Sequence, residues 1–336
     1  SAALADAGVR AAYFGNNPFG MDRLRKPGRW HAFHQPVREG QGSDCTKLVE
    51  LMLGYAKRQK RAGKRYFISA LAYEPHVPYR YHEGITERYF PGPFEPPFGK
   101  LATGQLLVKV ARGKLPMNKR RWAQLQGLYD GEVEYMDRCF GALLDGLKAL
   151  GQRRETAVIF TSDHGEGFWE HGKIGHAFGM YGELTNVPMV LLVPGLGDRL
   201  IKVETPSGHV DIVPTLLDLL GVPGDRRIQG ISVLPLVRRG DNWTARVVAM
   251  EYGRSYALRS RRFKYAVDYG GKEELFDTRH DPTEQRPINQ RAPGVLRYFR
   301  DLAGFYLAHR VAWREASWGP INNHRRAFVD YLARRR

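Results

Sequence analysis

The chain has 336 residues, 43% of them hydrophobic, enough for one large core and a smaller one. No apolar run approaches the ~18–20 residues of a membrane-crossing helix, and two cysteines, Cys45 and Cys139, exclude a disulfide-rich scaffold. The formal net charge of +17 favours anionic partners: nucleic acid, anionic lipid, or sulfated and phosphorylated substrates.

In chain order, residues 9–14 are the first short apolar run of the kind buried on both faces of a parallel sheet; 66–73, 156–160 and 187–193 are the others. The basic run KRQKRAGKR, residues 57–65, lacks interleaved aromatics and any surrounding nucleic-acid motif, so it reads as a solvated helix end, and no nucleic-acid partner is expected. Residues 90–114, rich in Pro and Gly, read as a long surface loop. Trp122, Leu125, Tyr129, Val133, Met136, Phe140, Leu143, Leu147 and Leu150 alternate threes and fours, the mark of a long amphipathic helix that Gly151 stops. A second helix spans 209–220, with Val210, Val213, Leu216, Leu217 and Leu220 as its expected buried stripe and Gly221 at its end. Strands alternating with helices predict a doubly wound α/β sheet. Beyond about residue 236 the texture changes to short strands (245–251, 255–259 and 263–267) and a basic helix over about 295–314. That predicts a division into 1–235 and a small α+β unit, 236–336: an antiparallel sheet with a covering helix. The arginine-rich tail from His324 to Arg336 is a candidate for touching an anionic membrane or polysaccharide.

Two apolar runs end in polar clusters, and in an open α/β sheet ligands bind beyond the carboxyl ends of strands. The run 156–160 leads into Ser162-Asp163-His164-Gly165-Glu166. The run 66–73 leads into Glu74-Pro75-His76-Val77-Pro78-Tyr79. If both strands run parallel, each delivers a histidine to one edge. Asp163-His164 joins a carboxylate to an imidazole, a donor pair suited to a divalent cation. The same dipeptide also suits a helix-capping Asp with a surface His. His76 sits stiffly among prolines, or simply packs on Tyr79. His176 and Lys173 can each offer a cation to an anion, or lie in a solvated loop. Glu170 and His171 read as solvated loop, and His209 as a satisfied helix-end residue. Asp130, Glu134 and Asp137 read as the wet face of the long helix.

The order of segments resembles the sulfatase branch of the alkaline-phosphatase-like superfamily. The matching stretches are SAALADAGVRAAYFG, RYFISALAYEPHVPY, YDGEVEYMDRCFGALLDGLKALG, TAVIFTSDHGEGFWEHG, GHAFGMYGELTNVPMVLLVPG and HVDIVPTLLDLLGVP. YALRSRRFKYAVDYGGKEELFDTRHDPTEQ is similar to the family's C-terminal sheet. The resemblance implies a three-layer α/β sandwich with a mostly parallel sheet, carrying a metal-dependent sulfuric ester hydrolase. It puts Asp163 and His164 at the family's second pair of metal ligands, for Ca2+ first, with Mn2+ or Zn2+ open. His76 stands where a histidine meets the sulfate or leaving group. His176 stands near the family's sulfate-binding cation, with Lys173 as fallback. The substrate expected is a small-molecule or carbohydrate sulfate ester, in a periplasmic, secreted or membrane-attached setting. The family's metal-binding Asp strand and its Cys-x-Pro-x-Arg or Ser-x-Pro-x-Arg nucleophile, the formylglycine site, are not in these residues. Cys45 precedes Thr-Lys-Leu and Cys139 precedes Phe-Gly-Ala. An N-terminally truncated sequence is therefore expected. Two other readings stand beside this one: a phosphodiesterase, phosphonate hydrolase or phospholipid-headgroup transferase of the same superfamily, and a non-catalytic basic module for anionic polymers.

Overall fold

The structure, a computed structural model, describes residues 2–16, 30–34, 44–176, 178–196, 200–224, 228–239 and 246–318. Helix Ala2–Asp6 (α1) leads into strand Arg10–Gly15 (β1). Parallel partners flank β1 on both edges: Ala32–His34 (β2) and Tyr66–Leu71 (β3). Between them lies helix Cys45–Arg61 (α2), capped by Asp44, whose carboxylate accepts from the Thr46 and Lys47 amides. Strands Tyr79–Arg80 (β4) and Leu101–Ala102 (β5), with helix Gly104–Ala111 (α3), precede the long helix Lys119–Ala149 (α4). Next come Val158–Thr161 (β6), the hairpin strands Gly167–Phe168 (β7) and Ile174–Gly175 (β8), the single turn Gly182–Thr185 (α5) and Met189–Leu192 (β9). A 3-10 turn, His209–Asp211, opens helix Ile212–Leu220 (α6), which ends at Gly221 in the left-handed region (φ 65°). Leu234–Arg239 (α7) follows. The C-terminal part is four strands, Val248–Tyr252 (β10), Ser255–Arg259 (β11), Phe263–Val267 (β12) and Glu273–Asp277 (β13), then helix Pro293–Trp318 (α8).

The layers follow from side-chain alternation. Ala12 and Phe14 of β1 pack with Leu48 and Tyr55 of α2, and Ile68 of β3 and Val158 of β6 pack with Leu143 and Leu147 of α4. Ile159, one residue on, faces the opposite way, toward Ile212 and Thr215 of α6. Helices α4 and α6 therefore cover the two faces of the β6–β9 pair, while β2-β1-β3 form a separate three-stranded parallel sheet that packs on α2. Glycines let α4 approach its neighbours closely. A Cβ at Gly131 would lie 2.5 Å from Thr86 Oγ1, and one at Gly146 would lie 2.2 Å from Leu53 Cδ1. The antiparallel sheet runs β10-β11-β12-β13. On one face Tyr256, Leu258, Tyr265, Val267 and Leu275 pack with Phe299 and Ala303 of α8. On the other, Ala257 and Ala266 meet Met180 of the larger part.

Several sequence expectations change. The runs around 158–161 and 189–192 pair with each other antiparallel, not parallel. Apolar content signals burial but carries no information on strand direction. The stretch 90–114 is no simple surface loop: Phe98, Ala102, Leu107 and Val110 form a core with Leu125 and Leu128 of α4. Val210 and Val213 are exposed, while Thr215 is buried and donates to the Asp211 carbonyl at 2.6 Å. The wet-face reading of Asp130 and Asp137 holds, and Glu134 pairs with Arg88 and Arg138. The tail from His324 onward lies outside the described residues.

Candidate active site

Both polar strand ends reach one place. After β3, the His76 amide bonds the Tyr73 carbonyl at 2.8 Å, and the Tyr73 hydroxyl donates to the Val77 carbonyl at 2.8 Å. His76 Nδ1 lies 2.6 Å from that same carbonyl. A carbonyl only accepts, so Nδ1 carries the proton and Nε2 stays available to a reacting group. After β6, Ser162 Oγ donates to the His164 carbonyl at 2.6 Å, and Gly165 N donates to the Leu184 carbonyl at 2.9 Å. His164 Nδ1 faces the Gly165 carbonyl at 2.8 Å. By the same reasoning its Nε2 keeps a lone pair. The Asp163 carboxylate is exposed, and its Oδ1 lies 3.9 Å from His164 Nε2.

The β7–β8 hairpin brings in the third histidine. Its register, Gly167 opposite Gly175, sets Glu166 across from His176. His176 Nδ1 donates to Glu166 at 3.1 Å, and Glu166, nearly buried, also accepts the Tyr79 hydroxyl at 2.8 Å. The ring of His176 stacks on His164 (centroids 4.2 Å apart, 27°) and lies 5.1 Å from His76. The Glu166 hydrogen bond outweighs burial and raises the His176 pKa. Burial, set chiefly against its bond to the Val77 carbonyl, pushes His76 below the usual imidazole value. The cluster therefore holds one imidazole biased to the cation and one biased to the neutral form. Asp163, His164 and His176 line a cavity of about 2080 Å³ that His209 and Arg259 also line.

Of the five sequence candidates, His76, His164, His176 and Asp163 are gathered here. Lys173 sits on the hairpin turn, exposed, where its carbonyl accepts from Trp169 N at 2.8 Å. No group of three or more His, Cys, Asp or Glu side chains that could hold a metal occurs among the described residues. Asp163 and His164 nonetheless fit a divalent cation as a partial donor set. One gives an exposed oxygen, the other an imidazole whose tautomer is fixed by a backbone acceptor.

Two residues escaped the sequence reading, Glu166 and His171. Glu166 orients His176; the ten-residue hairpin spacing between them is its only signal. His209 is the satisfied helix-end residue expected: its Nε2 donates to the Ser162 carbonyl at 2.8 Å and so props the segment before Asp163. His171 is not solvated loop: Nδ1 faces Glu183 at 2.8 Å, Nε2 faces the Glu284 carbonyl at 3.0 Å, and the ring stacks on Tyr181. Behind it lies a buried clamp. Lys264 Nζ reaches Glu284 at 2.8 Å and Thr185 Oγ1 at 3.0 Å, and Glu284 accepts the Gly182 amide at 2.9 Å. The small sheet thereby grips α5, the turn on which Gly165 rests.

The family model for sulfatases matches residues 2–222, and the model described as N-sulphoglucosamine sulphohydrolase, C-terminal, matches 169–293. The chain belongs to the sulfatase family. Arylsulfatase K of Bos taurus is 31% identical over 187 residues, covering 51% of this chain and 34% of that protein. The multifunctional alkaline phosphatase superfamily protein PehA of Trinickia caryophylli is 29% identical over 218 residues, covering 59% and 42%. The chain thus spans less than half the length of these curated relatives. A 2-O GAG sulfatase structure superposes with a TM-score of 0.67 at 20% identity, covering 91% of this chain and 73% of that one. The phosphonate monoester hydrolase of Agrobacterium radiobacter gives 0.66 at 19%, covering 93% and 79%. At such identity these likenesses speak for the alkaline-phosphatase-like fold alone.

Proposed function

We propose that the chain supplies the anion-binding and leaving-group half of a sulfuric ester hydrolase acting on a small-molecule or carbohydrate sulfate ester. The observation that carries this is the His76–His176–His164 cluster, with the Glu166 hydrogen bond favouring the cationic form of His176. His176, biased toward the cation by Glu166, faces the ester's non-bridging oxygens and steadies charge that grows during transfer. His76 presents Nε2 to the bridging oxygen. An arriving anion favours its protonated form, which then donates to the leaving alcohol. Asp163 and His164 are the residues that would hold a divalent metal; the harder ion Ca2+ suits the carboxylate, and Mn2+ or Zn2+ suits the imidazole as well. Such an ion would polarise the ester's oxygens. Lys173 serves as an outer cation for a second anionic group. Residues 1–235 form the catalytic part and 236–336 the unit that braces it.

Support for the substrate class comes from relatives that include a choline-sulfatase of Rhizobium meliloti and a solved structure bound to D-glucosamine-2-N,6-O-disulfate. The phosphonate monoester hydrolase fold favours a second reading, phosphonate or phosphodiester hydrolysis on the same residues. The test is hydrolysis of 4-nitrophenyl sulfate against phenylphosphonate esters by the full-length protein. Turnover of the sulfate, lost with EDTA and lowered about 10²- to 10⁴-fold in His76→Ala, supports the proposal. Preference for the phosphonate moves the chain to the second reading.

A further inference from the structure

Trp169 occupies the first turn position after β7 with φ 84°, one of two non-glycine residues in the left-handed region among those described. A large side chain there is strained by order 1–3 kcal/mol and persists where the surroundings impose it. Strand alternation would send Trp169 away from Phe168, which packs inward among Tyr79, Leu125 and Leu128. Instead its ring lies beside Trp122, a member of that same cluster, with centroids 5.7 Å apart at 45°. Trp169 is nonetheless 43% exposed. The two indoles therefore form an oblique apolar shelf at the turn of the β7–β8 hairpin, whose base carries Glu166 and His176. Phe168, the residue before Trp169, starts a row of ring contacts that leads inward: Phe168 against Tyr129 at 4.9 Å, Tyr129 against Tyr79 at 5.4 Å, then the Tyr79 hydroxyl on Glu166, which holds His176. Across the ribbon from Trp169 is the exposed Lys173.

We propose that Trp169 and Trp122 are a stacking subsite for a sugar ring of an anionic saccharide whose sulfate ester lies at His76 and His176. This rests on the sulfate-ester reading above. An indole presents a wide apolar face with little entropy to lose, and the C–H face of a pyranose matches it. The cation of Lys173 beside the shelf selects an anionic saccharide over a neutral one. Neither tryptophan touches the reacting atoms; the pair would set substrate choice and orientation.

The test is calorimetry and tryptophan fluorescence on the full chain with three probes: a chondroitin sulfate tetrasaccharide, the same tetrasaccharide desulfated, and inorganic sulfate. Variants are Trp169→Ala, Trp169→Phe and His176→Ala. The expected result is binding of the sulfated tetrasaccharide with a blue-shifted emission. Trp169→Ala weakens it about tenfold, the scale of one lost aromatic contact. Trp169→Phe keeps most of it, and inorganic sulfate binds Trp169→Ala as it binds wild type. Tetrasaccharide affinity unchanged in Trp169→Ala, or no tetrasaccharide binding at all, overturns the subsite. Sulfate binding lost in His176→Ala would in that case leave the sulfate-ester reading standing. Equal, Trp169-dependent binding of both tetrasaccharides, which share the uronate carboxylates, overturns the placing of the sulfate ester at His76 and His176.

Discussion

At the residue scale, the site depends on two residues that hold others. Glu166 is a nearly buried carboxylate whose hydrogen bond is the largest influence on the His176 ring. In Glu166→Gln that charge is gone while shape is kept. The sign follows directly: the raising contribution vanishes and burial, which lowers the value, remains, so His176 should titrate at lower pH than in wild type. A histidine-ring NMR titration reads this, and an unchanged midpoint would rule out the assigned pairing. Gly165 is the second. A Cβ there would sit 2.0 Å from the Glu183 carbonyl oxygen, a backbone atom that cannot swing aside. Gly165→Ala should destabilise the fold by on the order of 3 kcal/mol through forced backbone shifts, read as a lower denaturation midpoint. Neither role was visible in the sequence as such. In the sequence Gly165 is one residue of the polar cluster after a buried strand, and the carbonyl that demands a glycine arrives from a turn some twenty positions later.

At the element scale, α5 is a single helical turn that cannot stand alone, and the small sheet holds it. Lys264 is 1% exposed and its pKa is lowered, by desolvation first, although Glu284 pulls it back up. Glu284 itself adopts φ 57°, a conformation its carboxylate contacts impose. Removing one partner leaves a buried charge uncompensated. Lys264→Met should therefore lose about 3–5 kcal/mol, and Lys264→Met with Glu284→Gln should recover much of that. Chemical denaturation of the two variants checks it; equal losses in both would show that packing, not charge, dominates. The sequence offered Lys264 as one more basic residue on a strand with alternating polarity. Its burial arises because the second face of the sheet meets α5 rather than water.

At the scale of the whole molecule, Cys45 at the start of α2 is bonded to Cys139 within α4, 94 positions on. The loop this closes contains β3 and His76. Loop-closure entropy for that length contributes about 4–5 kcal/mol against the reduced chain. Such bridges persist in oxidising compartments. Protein denatured without reductant should show no alkylatable thiol, and dithiothreitol should lower the denaturation midpoint. A free thiol in the non-reduced protein would refute the pairing. Two cysteines far apart in sequence gave no sign of this, because only the packing of α2 on α4 brings them within 6.0 Å between Cα atoms.

The sequence by itself determined the α/β class, the long helix α4 and the two strand ends that carry His76 and Asp163-His164. These are local signals: apolar periodicity, glycine stops, and polar residues where a buried strand runs out. Tertiary structure alone decided the antiparallel pairing of β6 with β9, the buried role of 90–114, the convergence of three histidines, the Glu166 and Lys264 partnerships and the disulfide. Each of these joins residues whose separation along the chain is unrelated to their distance in space, and hydrogen-bond and charge partners are chosen by that distance.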